Sequence, residues 1–312
     1  MDKLFFGVDI GGTATKLGAF SQDGRLLDKW EIPTDISENG SHIMPNIARE
    51  IIRYAGETEN VVAVGVGVPG PVRRDGSVKR CVNLGWGGFN PARDLSAQLE
   101  GVPVFAGNDA NMAAMGEYWQ GGGQGSRNLV FITLGTGVGG GIIINGRPYS
   151  GAHGVGSEIG HMILKMDGEM CTCGNQGCFE RYASATAIIR EARRAVEKHP
   201  ESAIMEACGG DPKKINAKIV IDCAKANDPT ALEVFGGYVW GLAHGIVSII
   251  NVIDPEVIVL GGGVSAAGQY LLDAVRAEVE KHIFYKTMPH AHIELAQLGP
   301  DAGIIGAAML CK

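Results

Sequence analysis

The sequence predicts an α/β protein built from two related domains, and three observations carry that expectation. Its 312 residues are long enough for about two domains. Its 47 glycines are about twice the usual share, yet they follow no Gly-X-Y period and form no Gly/Ser tract, so they belong to turns between short strands. A strand, a glycine loop and a second strand open the chain, and the same series returns near its middle.

LFFGVDI, residues 4–10, reads as a buried strand. A dinucleotide fingerprint or a kinase-type phosphate loop would follow such a strand with glycines and then a helix of 3.6 period. Here TKLGAFSQDGRLLDKW alternates instead, and Asp23-Gly24 turns it into a third short strand. The spacing in DIGGTATK, residues 9–16, fits neither familiar pattern. Residues 128–150, NLVFITLGTGVGGGIIINGRPYS, repeat the unit with an Asn-Gly turn. Setting Ile10-Gly11-Gly12-Thr13 beside Leu134-Gly135-Thr136-Gly137 places Asp9 opposite Thr133. Such a loop offers backbone N–H groups with no Cβ in the way, so a phosphate can approach closely. Two loops facing each other would grip a polyphosphate; two ordinary tight hairpins are the alternative.

Between the units, VVAVGVGVPGPV reads as a buried strand ending in Pro-Gly-Pro. VPVFAGNDANMAAMGEYW reads as a strand over 102–106 that breaks at Gly107-Asn108-Asp109 and continues as a helix. Asp109 is therefore expected at a strand-to-helix corner facing a cleft, where a helix cap is the other use of an Asn-Asp pair. The second half is mostly helical: YASATAIIREARRAVEKH, NAKIVIDCAKAN, and a long helix from about Pro229 to Ile253. PEVIVLGGGVSAAG is a strand running into a triple glycine and a helix, and GPDAGIIGAAML is a small-residue helix.

A net charge of −7 disfavours nucleic acid as a partner. The one dense basic stretch, RRDGSVKR, reads as a solvated hairpin turn around its Asp-Gly. No uninterrupted apolar run approaches the roughly 18 residues of a membrane span. YVWGLAHGIVSIINVI is interrupted by His244, Ser248 and Asn251 and reads as a buried helix. The chain carries Asp2 and Asp9 and enters a strand at once, so no signal peptide is expected and the cytoplasm is the expected location.

Seven cysteines is an odd number, and three crowd into CTCGNQGC. In a reducing compartment that crowding points to metal rather than disulfides. His161, Cys171, Cys173 and Cys178 have the spacing H-x9-C-x-C-x4-C, one imidazole and three thiolates that complete a tetrahedral zinc with no open position. Gly174 and Gly177 supply the sharp turns. A closed set means structure rather than zinc-activated water; a redox pair is the alternative. Cys81, Cys208, Cys223 and Cys311 read as ordinary buried thiols.

DIGGTATK, NDAN, EIGH and CTCGNQGCFE, in this order and spacing, resemble the ROK family of sugar kinases and sugar-responsive repressors. The H…CxCGxxGCxE element is specific to it, whereas DxGGT alone marks only the wider actin/hexokinase/Hsp70-like superfamily. The resemblance runs from Phe5 to Met309, and NLGW, residues 83–86, resembles the glucokinase branch in particular. It implies a two-domain α/β fold of the actin/hexokinase/Hsp70-like (ribonuclease H-like) kind, with a cleft between domains and a structural zinc element. The expected N-terminal domain is 1–118, joined by a C-terminal helix at 300–312, and the larger C-terminal domain is 119–299.

The resemblance also assigns roles. Asp9, Gly11, Gly12 and Thr13 match the first phosphate loop, with the carboxylate facing Mg²⁺, and Thr136 and Gly137 match the second. Gly261, Gly262 and Gly263 match the segment beside the adenosine of ATP. Asp109 matches the catalytic base, and Asn83, Asn108, Glu158, His161 and Glu180 match residues that hold sugar hydroxyls. The implied reaction is ATP-dependent phosphorylation of a hexose at its primary hydroxyl, with glucose first. N-acetylmannosamine, fructose or allose as acceptor, or polyphosphate as donor, are alternatives. A homodimer or homotetramer is implied as well. A repressor is not expected, because the family's repressors carry a DNA-binding domain ahead of the kinase-like part and here DIGGT begins at Asp9. Lys16 is left out of the site, since the strand after the loop need not carry it to the phosphates.

Overall fold

The structure is a computed structural model that describes residues 3–312; Asp2, and with it the start of the expected first domain, lies outside the described residues. The apolar run of β1 (Leu4–Ile10) buries Phe6, Val8 and Ile10. It pairs antiparallel with β2 (Ala14–Phe20), which pairs antiparallel with β3 (Leu26–Pro33). β4 (Val61–Val68) joins β1 in parallel and β5 (Val104–Asn108) joins β4 in parallel, giving the order β3-β2-β1-β4-β5. After the short turn α1 (Ser37–Gly40), α2 (Ile43–Ala55) buries Ile43, Ile47 and Ile51, three residues on one helical face. α3 (Pro91–Gln98) starts on a proline and is capped by Asn90, whose side chain accepts from the Arg93 N–H. α4 (Asp109–Gln120) follows β5 directly.

The second series is β6 (Leu129–Leu134), β7 (Val138–Ile144) and the two-residue β8 (Arg147–Pro148). Helices α5 (Glu180–Ala183), α6 (Ala185–Lys198), α7 (Ala203–Ala207), α8 (Ala217–Lys225) and α9 (Pro229–Ile253) come next. β9 (Val257–Gly261), α10 (Gln269–His282), β10 (His292–Leu295) and α11 (Ala302–Met309) complete the chain. The second sheet has the order β10-β9-β6-β7-β8. Read from its hairpin edge, it is third, second, first, fourth, fifth, the same order as the first sheet. The duplicated strand–glycine–strand unit is thus a duplication of whole sheets.

The chain falls into two compact units, one of 1–131, 141–157 and 297–312, the other of 132–140 and 158–296. α11 groups with the first unit, and so do 119–131 and 141–157, which the sequence reading placed beyond a boundary at 118. By length and composition α9 could cross a membrane, but its Val234, Tyr238, Leu242, Ile246 and Ile250, four residues apart along one face, are buried in the second unit.

Two elements differ from the sequence reading. β5 spans 104–108 rather than 102–106, because Asn108 is itself extended and caps the helix, so strand passes to helix with no loop between. The segment from Tyr182 to His199 is not one helix: extended Ser184 ends α5, and its side chain accepts from the Ala187 N–H to start α6.

Candidate functional site

In the first unit, the first glycine loop closes tightly, with the Gly11 N–H donating to the Ala14 carbonyl at 3.0 Å. Its tip is open: Gly12 and Thr13 are exposed, and a Cβ on Gly12 would meet nothing within 4 Å. Asp9 lies one residue before the end of β1, opposite Lys16 in the β1–β2 register. Burial, and then the nearby Asp109 carboxylate, raise Asp9 to about 6, with Lys16 opposing them. Lys16, omitted by the sequence reading, therefore bears on the site through its charge.

Asp109 is the first residue of α4, where the helix N-terminus favours a carboxylate. Its Oδ1 accepts from the Ala110 N–H at 2.8 Å and from Asn108 Nδ2 at 2.9 Å. Asn108 also donates to the Gly70 carbonyl at 3.1 Å and accepts from the Asn111 N–H at 3.1 Å. The corner thus holds Asn108 as the cap and Asp109 beside it. Asn83 stands exposed on a single 3-10 turn, Val82–Leu84, two residues past Cys81, whose thiol is pushed up by burial and further by the Asp109 charge.

In the second unit, Glu180 ties two of the expected elements together. Its Oε2 accepts from the Val138 N–H at 3.1 Å, just past the second glycine loop, and its Oε1 lies 3.7 Å from Cys171 Sγ. A Cβ on Gly137 would meet Glu180 Oε2, so the bare glycine leaves the carboxylate its place at the Val138 N–H. The loop is held from behind by the start of α6: the Ala185 N–H donates to the Gly135 carbonyl at 2.8 Å, and Thr186 Oγ1 donates to the Thr136 carbonyl at 2.6 Å. Thr186 was missed by the sequence reading; Ser184 marks a helix start, but nothing local says which loop that helix meets. Glu158 is exposed at the head of the 3-10 turn Ile159–His161, whose Gly160 packs against the Val138 carbonyl. Gly262 packs against the backbone of Leu134 at the end of β6, so Gly261, Gly262 and Gly263 border the second loop.

His161, Cys171, Cys173 and Cys178 bring their ligand atoms within 4.8 Å of one another. Cys171 Sγ lies 3.8 Å from His161 Nδ1, and Cys173 Sγ lies 3.6 Å from Cys178 Sγ. A tetrahedral zinc with bonds of about 2.0–2.3 Å requires ligand separations of about 3.5–3.8 Å, so the four side chains fit the ion. Gly174 (φ 95°) and Gly177 (φ 75°) make the turns. The donor set also calls for a cation: burial pushes the Cys178 thiol up to about 12, whereas the Asn175 N–H draws Cys173 down. A dication is what would let all three ionise together.

The model of the ROK family matches residues 5–312. The chain belongs to the ROK family. It is 39% identical to a glucokinase of Halalkalibacterium halodurans, covering 100% of this chain and 96% of that one, and 36% identical to a glucokinase of Thermotoga maritima, covering 100% and 98%. A solved ROK glucokinase of Streptomyces griseus, in complex with glucose and AMPPNP, superposes with a TM-score of 0.79 at 36% identity, over 98% of each chain.

Proposed function

We propose that this chain transfers the γ-phosphoryl group of ATP to the primary hydroxyl of glucose. The observation that carries the reading is its likeness, over the whole chain, to proteins named glucokinase. A sugar hydroxyl attacks poorly unaided, and Asp109, fixed at the β5–α4 corner, is the carboxylate to accept its proton, work worth roughly 10²–10⁴-fold. Asn83, Asn108, Glu158, His161 and Glu180 supply amide, imidazole and carboxylate groups of the kind that pair with neighbouring hydroxyls. His161 would bind zinc through Nδ1, leaving Nε2 for a hydroxyl. The exposed Gly12, Thr13 and Thr136 belong to loops whose amides suit phosphate oxygens, and Gly261, Gly262 and Gly263 take the place beside the adenosine. Mg²⁺, when bound with ATP, supplies positive charge to the transferring group, and Asp9 is the carboxylate to face it. Zinc, when bound, fixes the His161 ring and the cysteine loop.

A cytoplasmic location and a homodimer or homotetramer go with this reading. Exposed Trp240, Phe284, Tyr285 and Met288 on the second unit support association. The test is a coupled assay of the purified protein against a panel of hexoses, with ATP and polyphosphate as donors. Glucose with ATP is expected to give the highest kcat/KM. A higher value for N-acetylmannosamine, fructose, allose or polyphosphate would replace the substrate assignment.

A further inference from the structure

Glu117 is fully buried in α4, and nothing in the reading above uses it. Its carboxylate accepts from three backbone N–H groups. Gly122 donates to Oε2 at 2.8 Å, Gln297 to Oε2 and Oε1 at 3.0 and 3.1 Å, and Leu298 to Oε1 at 2.9 Å. Burying a carboxylate is costly unless such donors satisfy it, so these bonds define where the chain can lie. Gly121, Gly122 and Gly123 let the main chain wrap round it: a Cβ on Gly121 would collide with Glu117 Oε2.

Gln297 is the residue at which the chain returns to the first unit, five positions before α11. α11, AGIIGAAM, packs on α4 backbone to backbone. Its Gly306 seats against the Met112 carbonyl, and Gly116 of α4 seats against the Ala302 carbonyl. A Cβ on Gly303 would lie 2.5 Å from Asp9 Oδ2, so α11 also walls the Asp9 carboxylate. α11 also seats its Ile304 carbonyl against Gly7 of β1 and its Ala307 carbonyl against Gly65 of β4, while Ile304 and Ile305 pack beside Phe20 and Trp119. To this packing Glu117 adds a polar anchor at the entrance of α11, where its carboxylate holds the Gln297 and Leu298 amides at fixed positions relative to α4.

We propose that Glu117 is a positioning residue, which fixes the axial register of α11 on α4 and thereby the seat of Asp9 beside Asp109. The inference rests on the function proposed above. Glu117→Gln keeps the side chain's shape but turns an NH₂ toward backbone donors. Gly121→Ala displaces the carboxylate without removing it, and decides the matter if the first variant does not fold. Both variants are expected to lower kcat for glucose by at least about tenfold while circular dichroism stays that of the wild type. In an Asp9→Asn background the same substitutions should cost less than about threefold, because they act through Asp9. Hydrogen exchange at the amides of 302–309 should be at least about tenfold faster in either variant. An equal loss of kcat in both backgrounds, or unchanged protection of α11, would overturn the proposal. Should the wild type fail to phosphorylate glucose, the functional reading falls by itself, and the exchange comparison still decides whether Glu117 sets the register.

Discussion

Burial and the neighbouring Asp109 raise Asp9 to about 6 from an ordinary 3.8, and that shift has a sign. Below the unfolded value both states carry the proton and stability is unaffected. As pH rises from about 4 to 6 the unfolded chain ionises first, so stability falls, and above about 6 the folded state bears the full cost of at most about 3 kcal/mol. Asp9→Asn removes that cost. Denaturant unfolding of the ligand-free protein should show the variant gaining on the wild type by up to about 3 kcal/mol between pH 4 and pH 8. A difference independent of pH would mean that Asp9 is not strained by its surroundings. A group held in an unfavourable charge state in the free protein is one that a bound cation would relieve, consistent with the proposed place facing Mg²⁺. For Asp109 the expectation is kinetic. Asp109→Asn keeps shape and polarity but cannot accept a proton, so kcat should fall by at least ~10², with the calorimetric affinity for glucose much less changed. A variant that turns over like the wild type would leave Asp109 as part of the helix start alone.

At the scale of elements, the second glycine loop and the Cys/His cluster act together through Glu180, which touches both. Gly137→Ala should push Glu180 from the Val138 N–H and raise the glucose KM by about tenfold, the worth of one hydrogen bond to a charged group. Cys173→Ala, or zinc removal by a strong chelator, should raise the same KM and lower the Tm, whereas cobalt or cadmium in place of zinc should retain much of the activity. Metal analysis showing well under one zinc per chain, or tight glucose binding by the zinc-free protein, would contradict this. The cluster was legible in the sequence because its ligands are close along the chain and their spacing is itself the geometry. The hairpins were legible for the same reason: period-two alternation and Asp-Gly or Asn-Gly turns are local. Contacts that join distant segments were not. Thr186 meets Thr136 across a helix start, and the Glu117 amides at Gln297 and Leu298 come from the other end of the chain. Tertiary packing makes those choices, and no short window of sequence contains them.

Over the whole molecule, two sheets of the same strand order each present a glycine loop after their first strand, and each brings a different chemistry. The first brings the carboxylates Asp9 and Asp109, the second His161 of the Cys/His cluster, Glu180 against Cys171, and Glu158 at the head of the turn that carries His161. The repeat was visible from the outset as two similar stretches, while the identity of the sugar was not, because one hydroxyl's orientation turns on one or two hydrogen bonds. The central claim is transfer to a sugar hydroxyl rather than to water, and phosphorus NMR of the reaction mixture reads it directly. With zinc-loaded protein, Mg-ATP and glucose, the spectrum should show ADP and a single phosphomonoester at the glucose primary hydroxyl in equal amounts. Release of inorganic phosphate at the same rate with and without glucose, or an ester at another hydroxyl, would contradict the account.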